Sequence, residues 1–457
     1  MRTLVQGGEV VTAGGVRRAD VLVDGETVAA IGTGLDATGA EVVDARGCVV
    51  LPGLVDNHTH MAMPTSGTVT CDDFDSGTRA ALAGGTTTIV DFALQTDGSL
   101  LRGLETWHEK AAGRAHCDYG FHLAVNDASG RAVAEMGRAV EEGVSTFKVF
   151  MAFKGAFMVD DEQMLRVLRR TGETGGMLLV HAENGDAIEL YVQEALAAGN
   201  TAPRFHGSTR PPEAEAEATS RAIRLASWAR RPLFVVHVSC EGAVREVQAA
   251  RDRGEPVFAE TCVQYLTLTG EEMARPGFDG AQFVCSPPLR TEHDQEVLFR
   301  ALRQGALEVV STDHCPFTLE QKAMGRDDFS KMPTGLPTIE HRLTLLHDRA
   351  IRSGRMTWPE LVALTATNPA KRFGLAPRKG ELAPGADGDV VVFDPAVERT
   401  ISAATHQSAS DYDCYEGWTV RGAPRTVLSR GEVVVRDGAV VSTPGRGRYL
   451  KRDCVEV

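Results

Sequence analysis

Eight short apolar runs, separated by amphipathic stretches and in several cases closed by a histidine or a carboxylate, constrain this chain more than any other feature. They are Gly53 to Asp56, Thr87 to Asp91, Gly120 to Ala124, Thr146 to Phe150, Leu178 to His181, Leu233 to His237, Val257 to Glu260 and Leu307 to Ser311. Apolar strands alternating with helices call for a parallel sheet covered by those helices, and eight of them suit a closed barrel. The helices between them include Asp161 to Arg170, Glu213 to Arg230 and Asp294 to Gln304. In a (β/α)8 barrel, chemistry gathers at the C-terminal ends of the strands, so the residues that close these runs are the ones to examine.

Both ends of the chain have a different texture. Thr3 to Val5, Glu9 to Val11, Asp20 to Val23, Val28 to Ile31, Glu41 to Val43 and Cys48 to Val50 are short β runs with glycine-rich turns, and Asp389 to Phe393, Thr426 to Leu428, Glu432 to Val435 and Ala439 to Val441 repeat the pattern. The expected fold class is therefore α/β: a TIM barrel over residues 51–373, with a β-sandwich domain assembled from residues 1–50 and 374–457.

Composition narrows the class of partner. A net charge of −14 repels phosphate backbones and argues against nucleic acid. No run approaches the roughly 18 apolar residues of a membrane span, and the N-terminus lacks a secretory apolar core, so the expectation is a cytoplasmic protein with no membrane partner. The nine cysteines are scattered without a CxxC pair, which predicts buried small hydrophobes rather than disulfides or a zinc knuckle.

The first barrel run leads into Asp56-Asn57-His58-Thr59-His60. Residues i and i+2 of a strand point the same way, so His58 and His60 present two imidazoles to one point, half of a transition-metal site. Alone, a His-x-His pair arises often among the 13 histidines here. The other run ends add to it: His181, His237 and Asp313 follow apolar strands in the same barrel.

Lysine is scarce, with eight residues against 40 arginines. Lys148 lies inside the apolar run Thr146 to Phe150, where an unpaired ammonium is costly to desolvate. Two readings fit it. In one it snorkels to the barrel mouth or pairs with an acid. In the other its pKa is depressed, the neutral amine adds CO₂, and the resulting carbamate bridges two cations, which predicts a binuclear centre.

Several ordered stretches resemble the dihydropyrimidinase and D-hydantoinase branch of the amidohydrolase superfamily. They include Gly84-Gly85-Thr86-Thr87-Thr88, Lys148-Val149-Phe150-Met151-Ala152, His181-Ala182-Glu183-Asn184-Gly185-Asp186, Glu260-Thr261-Cys262, Ser286-Pro287-Pro288-Leu289-Arg290 and Tyr449-Leu450-Lys451-Arg452. The resemblance implies two divalent ions of zinc type bridged by carbamylated Lys148. His58, His60 and Asp313 would hold the buried ion, and His181 and His237 the more exposed one. It further implies Asp313 as the catalytic proton carrier, a small cyclic amide or ureide as substrate, and a homotetramer or dimer.

The resemblance breaks at the substrate contacts. After the lysine the family reads Met-Ala-Tyr, its phenol donating to the developing oxyanion, whereas this chain reads Met151-Ala152-Phe153. Thr334 stands where the family has an Asn whose backbone contacts the ring, while Ser286 is retained. Ala62 and Thr65 replace an Asp and a bulky residue. These changes point to an altered substrate preference, with dihydrocytosine or a cyclic imide as alternative rings. Met61-Ala62-Met63 supplies no arginine for a carboxylated ring. A catalytically inactive scaffold of this fold would have lost ligand positions, and all six are present here.

Overall fold

The computed structural model describes residues 2–454. Eight parallel strands form the barrel: Leu54–Thr59, Thr86–Leu94, Asp118–Ala124, Thr146–Phe150, Met177–His181, Leu233–Val235, Val257–Cys262 and Val309–Ser311, each paired with the next. The ring closes through the residues just past the strands. His60 N donates to His314 O at 2.9 Å and His314 N to His58 O at 3.3 Å, beside the parallel bridge between Thr59 and His314.

The expected helices are all present, with ends set by caps. One runs Asp161–Thr174, opened by a reciprocal capping box between Asp160 and Gln163 and stopped by Gly175 at φ 78°. Another begins at Glu292, two residues before the expected Asp294, because Thr291 is its cap. The third is Pro212–Ala229. Strand ends differ from expectation too, and two of them bear on the site. The first continues through His58 to Thr59, and the sixth stops at Val235, leaving His237 beyond it with φ 42°.

The two chain ends meet in one nine-stranded sheet, in which Val390–Thr400 pairs antiparallel with Val49–Pro52. Arg2–Thr12 shifts register between Val5 and Gly8, pairing its first half with Ala40–Asp44 and its second with Val49–Pro52. The sandwich is thus a single sheet folded over its own core, which includes Val5, Val21, Val50, Val390 and Leu428. The tail returns to the barrel: Leu450 N donates to Tyr119 O, and the Arg452 guanidinium caps the Phe121 carbonyl and Thr146 Oγ1.

All nine cysteines are free thiols, and most are buried as expected. Cys454 is exposed and Cys71 only half-buried. Among the described residues, no helix is long and apolar enough to cross a membrane.

Candidate metal centre and active site

The strand ends bring their side chains together. His58 Nε2 and His60 Nε2 both approach Asp313 Oδ1, at 3.1 and 3.0 Å, and Lys148 Nζ lies 3.0 Å from His58 Nε2. His181 Nδ1 faces His237 Nε2 at 2.9 Å. One cavity is lined by His60, Lys148, His181, His237 and Asp313 together with Phe153, Ser286 and Thr334. His58 sits behind it, wholly buried.

Neighbouring acids fix which ring nitrogens point inward. Glu260 Oε1 takes His58 Nδ1 at 2.5 Å, and Glu183 Oε2 takes His181 Nε2 at 2.8 Å while also accepting from Arg210 Nη1 at 2.8 Å. Asn57 Nδ2 donates to the second oxygen of Glu260 at 2.5 Å. Such carboxylate–imidazole ties orient metal-binding histidines and raise their basicity. Glu260, Glu183 and Asn57 were not singled out in the sequence. Their signal was available: two acids and an amide within or next to the same strand ends.

Electrostatics favour uncharged imidazoles. Burial pushes His58 and His237 well below the ordinary histidine range, leaving lone pairs free to ligate. The facing nitrogens of His181 and His237 have room for one proton at most, and Nδ1 of both His60 and His237 is buried without a partner. This donor set suits divalent cations: ligand atoms of His58, His60 and Asp313 lie within 4.8 Å of one another, His181 and His237 face each other on the same cavity, and Lys148 reaches His58. Burial also brings Lys148 down to about 8, against nearby Asp313 and Glu260, so a neutral amine is accessible near neutral pH. Asp313 is opposed by burial yet held at about 2 by the imidazoles of His58 and His60.

Backbone strain gathers at the same place. Phe153, His237 and Asp313 have φ of 65°, 42° and 49°, a region non-glycine residues occupy only when the surroundings impose it.

A second group of like composition, His341, His406 and Asp413, is built differently. His406 donates from both nitrogens, to Asp413 Oδ2 at 3.2 Å and Ser410 O at 2.9 Å, and Arg399 Nη2 stands 3.5 Å from His341 Nδ1. Donors already fill this group, so it is an ion-pair clasp rather than a cation cage.

Residues 49–434 match the Amidohydrolase family. The chain belongs to that family. This amidohydrolase is 52% identical to the D-hydantoinase of Streptomyces coelicolor over 99% of its own length and 98% of that protein's. It is 49% identical to the D-hydantoinase of Geobacillus stearothermophilus, covering 99% and 97%. The crystal structure of dihydropyrimidinase from Brevibacillus agri superposes on it over the whole of both chains with a TM-score of 0.99 at 50% identity.

At the substrate end of the cavity this amidohydrolase presents phenyl rings. Phe153 packs 5.0 Å from the His181 ring and 6.0 Å from Phe150, and Phe157 lines the same wall. None of the six tyrosines lines the cavity, and Tyr265 spends its hydroxyl on Pro287 O at 2.7 Å. Thr65 lines the cavity as expected of a pocket residue. Ala62 does not: it sits in a turn with φ 48° whose carbonyl accepts from Lys110 Nζ.

Proposed function

We propose that this amidohydrolase opens the C–N bond of a small cyclic amide or ureide by hydrolysis, giving the ring-opened acid. The observation that carries this reading is the convergence of His58, His60, Lys148, His181, His237 and Asp313 on one cavity whose far side is formed by Phe153, Ser286 and Thr334. The D-hydantoinase and dihydropyrimidinase names of its relatives point to the same ring class.

His58, His60 and Asp313 would hold one divalent ion, of zinc type, and His181 and His237 a second. Lys148 would help to hold both ions as a carbamate, which forms when its neutral amine attacks CO₂ and releases a proton. When bound, the two ions supply Lewis acidity toward the substrate carbonyl and an acidified water at neutral pH.

The remaining steps fall to the chain's own groups. Asp313 uses Oδ1 on His58 and His60, leaving its other oxygen to face the cavity. That oxygen takes the proton of the attacking water and returns it to the ring nitrogen as the C–N bond breaks, because an amide nitrogen departs poorly as an anion. Unpaired backbone groups of Ser286 and Thr334 hold the non-reacting edge of the ring.

Phe153 shifts the substrate preference. It places no donor where the developing oxyanion forms, and loss of one such donor raises a barrier by about 2.7–4 kcal/mol. The test is a turnover panel of dihydrouracil, 5-substituted hydantoins, cyclic imides and dihydrocytosine on wild type and Phe153→Tyr. Wild type opens at least one ring, and Phe153→Tyr accelerates dihydrouracil. Equal dihydrouracil rates in the two proteins contradict the shifted preference, and turnover of no ring by either contradicts the hydrolase reading.

A homo-oligomer, tetramer or dimer, would cover some of the large apolar side chains left exposed, among them Leu190, Tyr191 and Trp228.

A further inference from the structure

A second ammonium, Lys322, is as fully buried as Lys148, and the chemistry above makes no use of it. It ends the short helix Leu319–Lys322. Its three N–H donors are met by three backbone carbonyls: Val284 O at 2.9 Å, Pro333 O at 2.8 Å and Gly335 O at 3.0 Å. Among the described residues no carboxylate pairs with it, so the three carbonyl dipoles hold the charge, with the Phe317 ring 5.6 Å away. An ammonium is expensive to bury in that way, and three charge-assisted bonds are what offset the expense.

The three carbonyls belong to the two loops that face the substrate cavity. Val284 lies two residues before Ser286, and Pro333 and Gly335 flank Thr334; Ser286 and Thr334 both line the cavity. The Pro333–Thr334 peptide is trans, so its N–H points opposite to its carbonyl. With the carbonyl on Lys322, the Thr334 N–H is turned away from the ammonium, and among the described residues it has no acceptor. A charged donor on the carbonyl side polarises the peptide and strengthens that N–H. Gly335 N also donates to Val284 O at 2.9 Å, joining the loops at the carbonyl Lys322 already holds. Gly335 has φ 153°, and a Cβ there would strike the Cys315 carbonyl, so the approach requires glycine.

We propose that Lys322 is a positioning residue for substrate binding: its ammonium orients and polarises the Thr334 peptide so that the N–H receives a carbonyl oxygen of the bound ring, and it holds that peptide in register with Ser286. This rests on the cyclic-amide reading of the cavity. The contact is to the non-reacting edge, equal in ground and transition states, so its loss appears in KM and not in kcat.

The test is steady-state kinetics and metal content of the metal-loaded protein as wild type, Lys322→Met and Lys322→Gln, on the best ring of the panel. Lys322→Met raises KM about tenfold with kcat within about threefold and bound metal unchanged. Lys322→Gln retains a two-donor amide and falls between, and it carries the test where the methionine variant fails to fold. A purely structural lysine would lower the folded fraction, so kcat and bound metal would drop at unchanged KM, and that result overturns the proposal. Unchanged kinetics, or failure of both variants to fold, overturns it as well. Wild type that opens no ring contradicts the functional reading and this one together, and shows in the wild-type arm alone.

Discussion

Lys148 Nζ stands 3.0 Å from His58 Nε2, and both side chains are sealed from solvent. Burial disfavours the charge on this amine and outweighs Asp313, Glu260 and the Phe92 and Phe150 ring faces 4.3 and 4.8 Å away, all of which favour it. Lys148→Ala is expected to reduce ring opening by more than about 100-fold, beyond the loss typical of an outer-shell partner. Added short-chain carboxylates restore part of it by standing in for the carbamate. Rates with and without propionate check this.

Glu260 reaches His58 Nδ1 at 2.5 Å, and burial pushes its carboxyl up to about 7. Glu260→Gln keeps the shape but turns one of its two acceptor oxygens into a donor, so it cannot accept from both His58 Nδ1 and Asn57 Nδ2. It should weaken metal retention by about 10–100-fold. A competition titration against a chelator measures the change, and unaltered retention would remove Glu260 from the site's support.

The barrel strands were legible because their apolar runs are short, β-rich and separated by helical periodicity. His58, His60, His181 and Asp313 were legible because each closes or follows such a run, and Lys148 because a charge inside one stands out. What lay hidden depends on contacts between distant segments. Glu260 meets His58 across 202 positions. Lys322 bonds only to backbone carbonyls, which leave no trace in residue types. The single folded sheet of the sandwich was hidden for a similar reason: a register shift between Val5 and Gly8 decides which partners the first strand takes.

Lys379 ties the barrel to the sandwich. Its Nζ lies 2.7 Å from Asp118, 2.8 Å from Asp387 and 2.9 Å from Asp389, and the three carboxylates raise its pKa in spite of burial. Lys379→Met leaves acids buried without their cation and should destabilise the fold by about 3–5 kcal/mol. Denaturant unfolding reads this, and a change below about 1 kcal/mol would show that the Arg430 guanidinium, whose Nε lies 3.0 Å from Asp118 Oδ2, suffices for the cluster.

The clasp of His406 on Asp413 gives stability a pH signature. Burial opposes both charged forms, yet His406 is raised by its bond to Asp413, and Asp413 is held below the carboxylate range by His341 and His406. The Asp413 contribution is present above the ordinary carboxylate value and lost as pH falls through its depressed value. The His406 contribution is present below the ordinary histidine value and lost as pH rises through its raised one. The stability difference between wild type and Asp413→Asn should therefore be largest between about pH 4 and 6.5, where both are complete. Thermal midpoints across pH check it, and a difference independent of pH would rule out the ion pair.

The proposed ring hydrolysis depends on divalent ions held by His58, His60, Lys148, His181, His237 and Asp313. The most direct measurement is ring opening of a 5-substituted hydantoin or dihydrouracil by chelator-stripped protein as divalent ion is returned in the presence of bicarbonate. Turnover is expected to be absent without metal and to rise to a plateau at two ions per chain. Full activity in the stripped protein, or none at two bound ions across the whole ring panel, would contradict it.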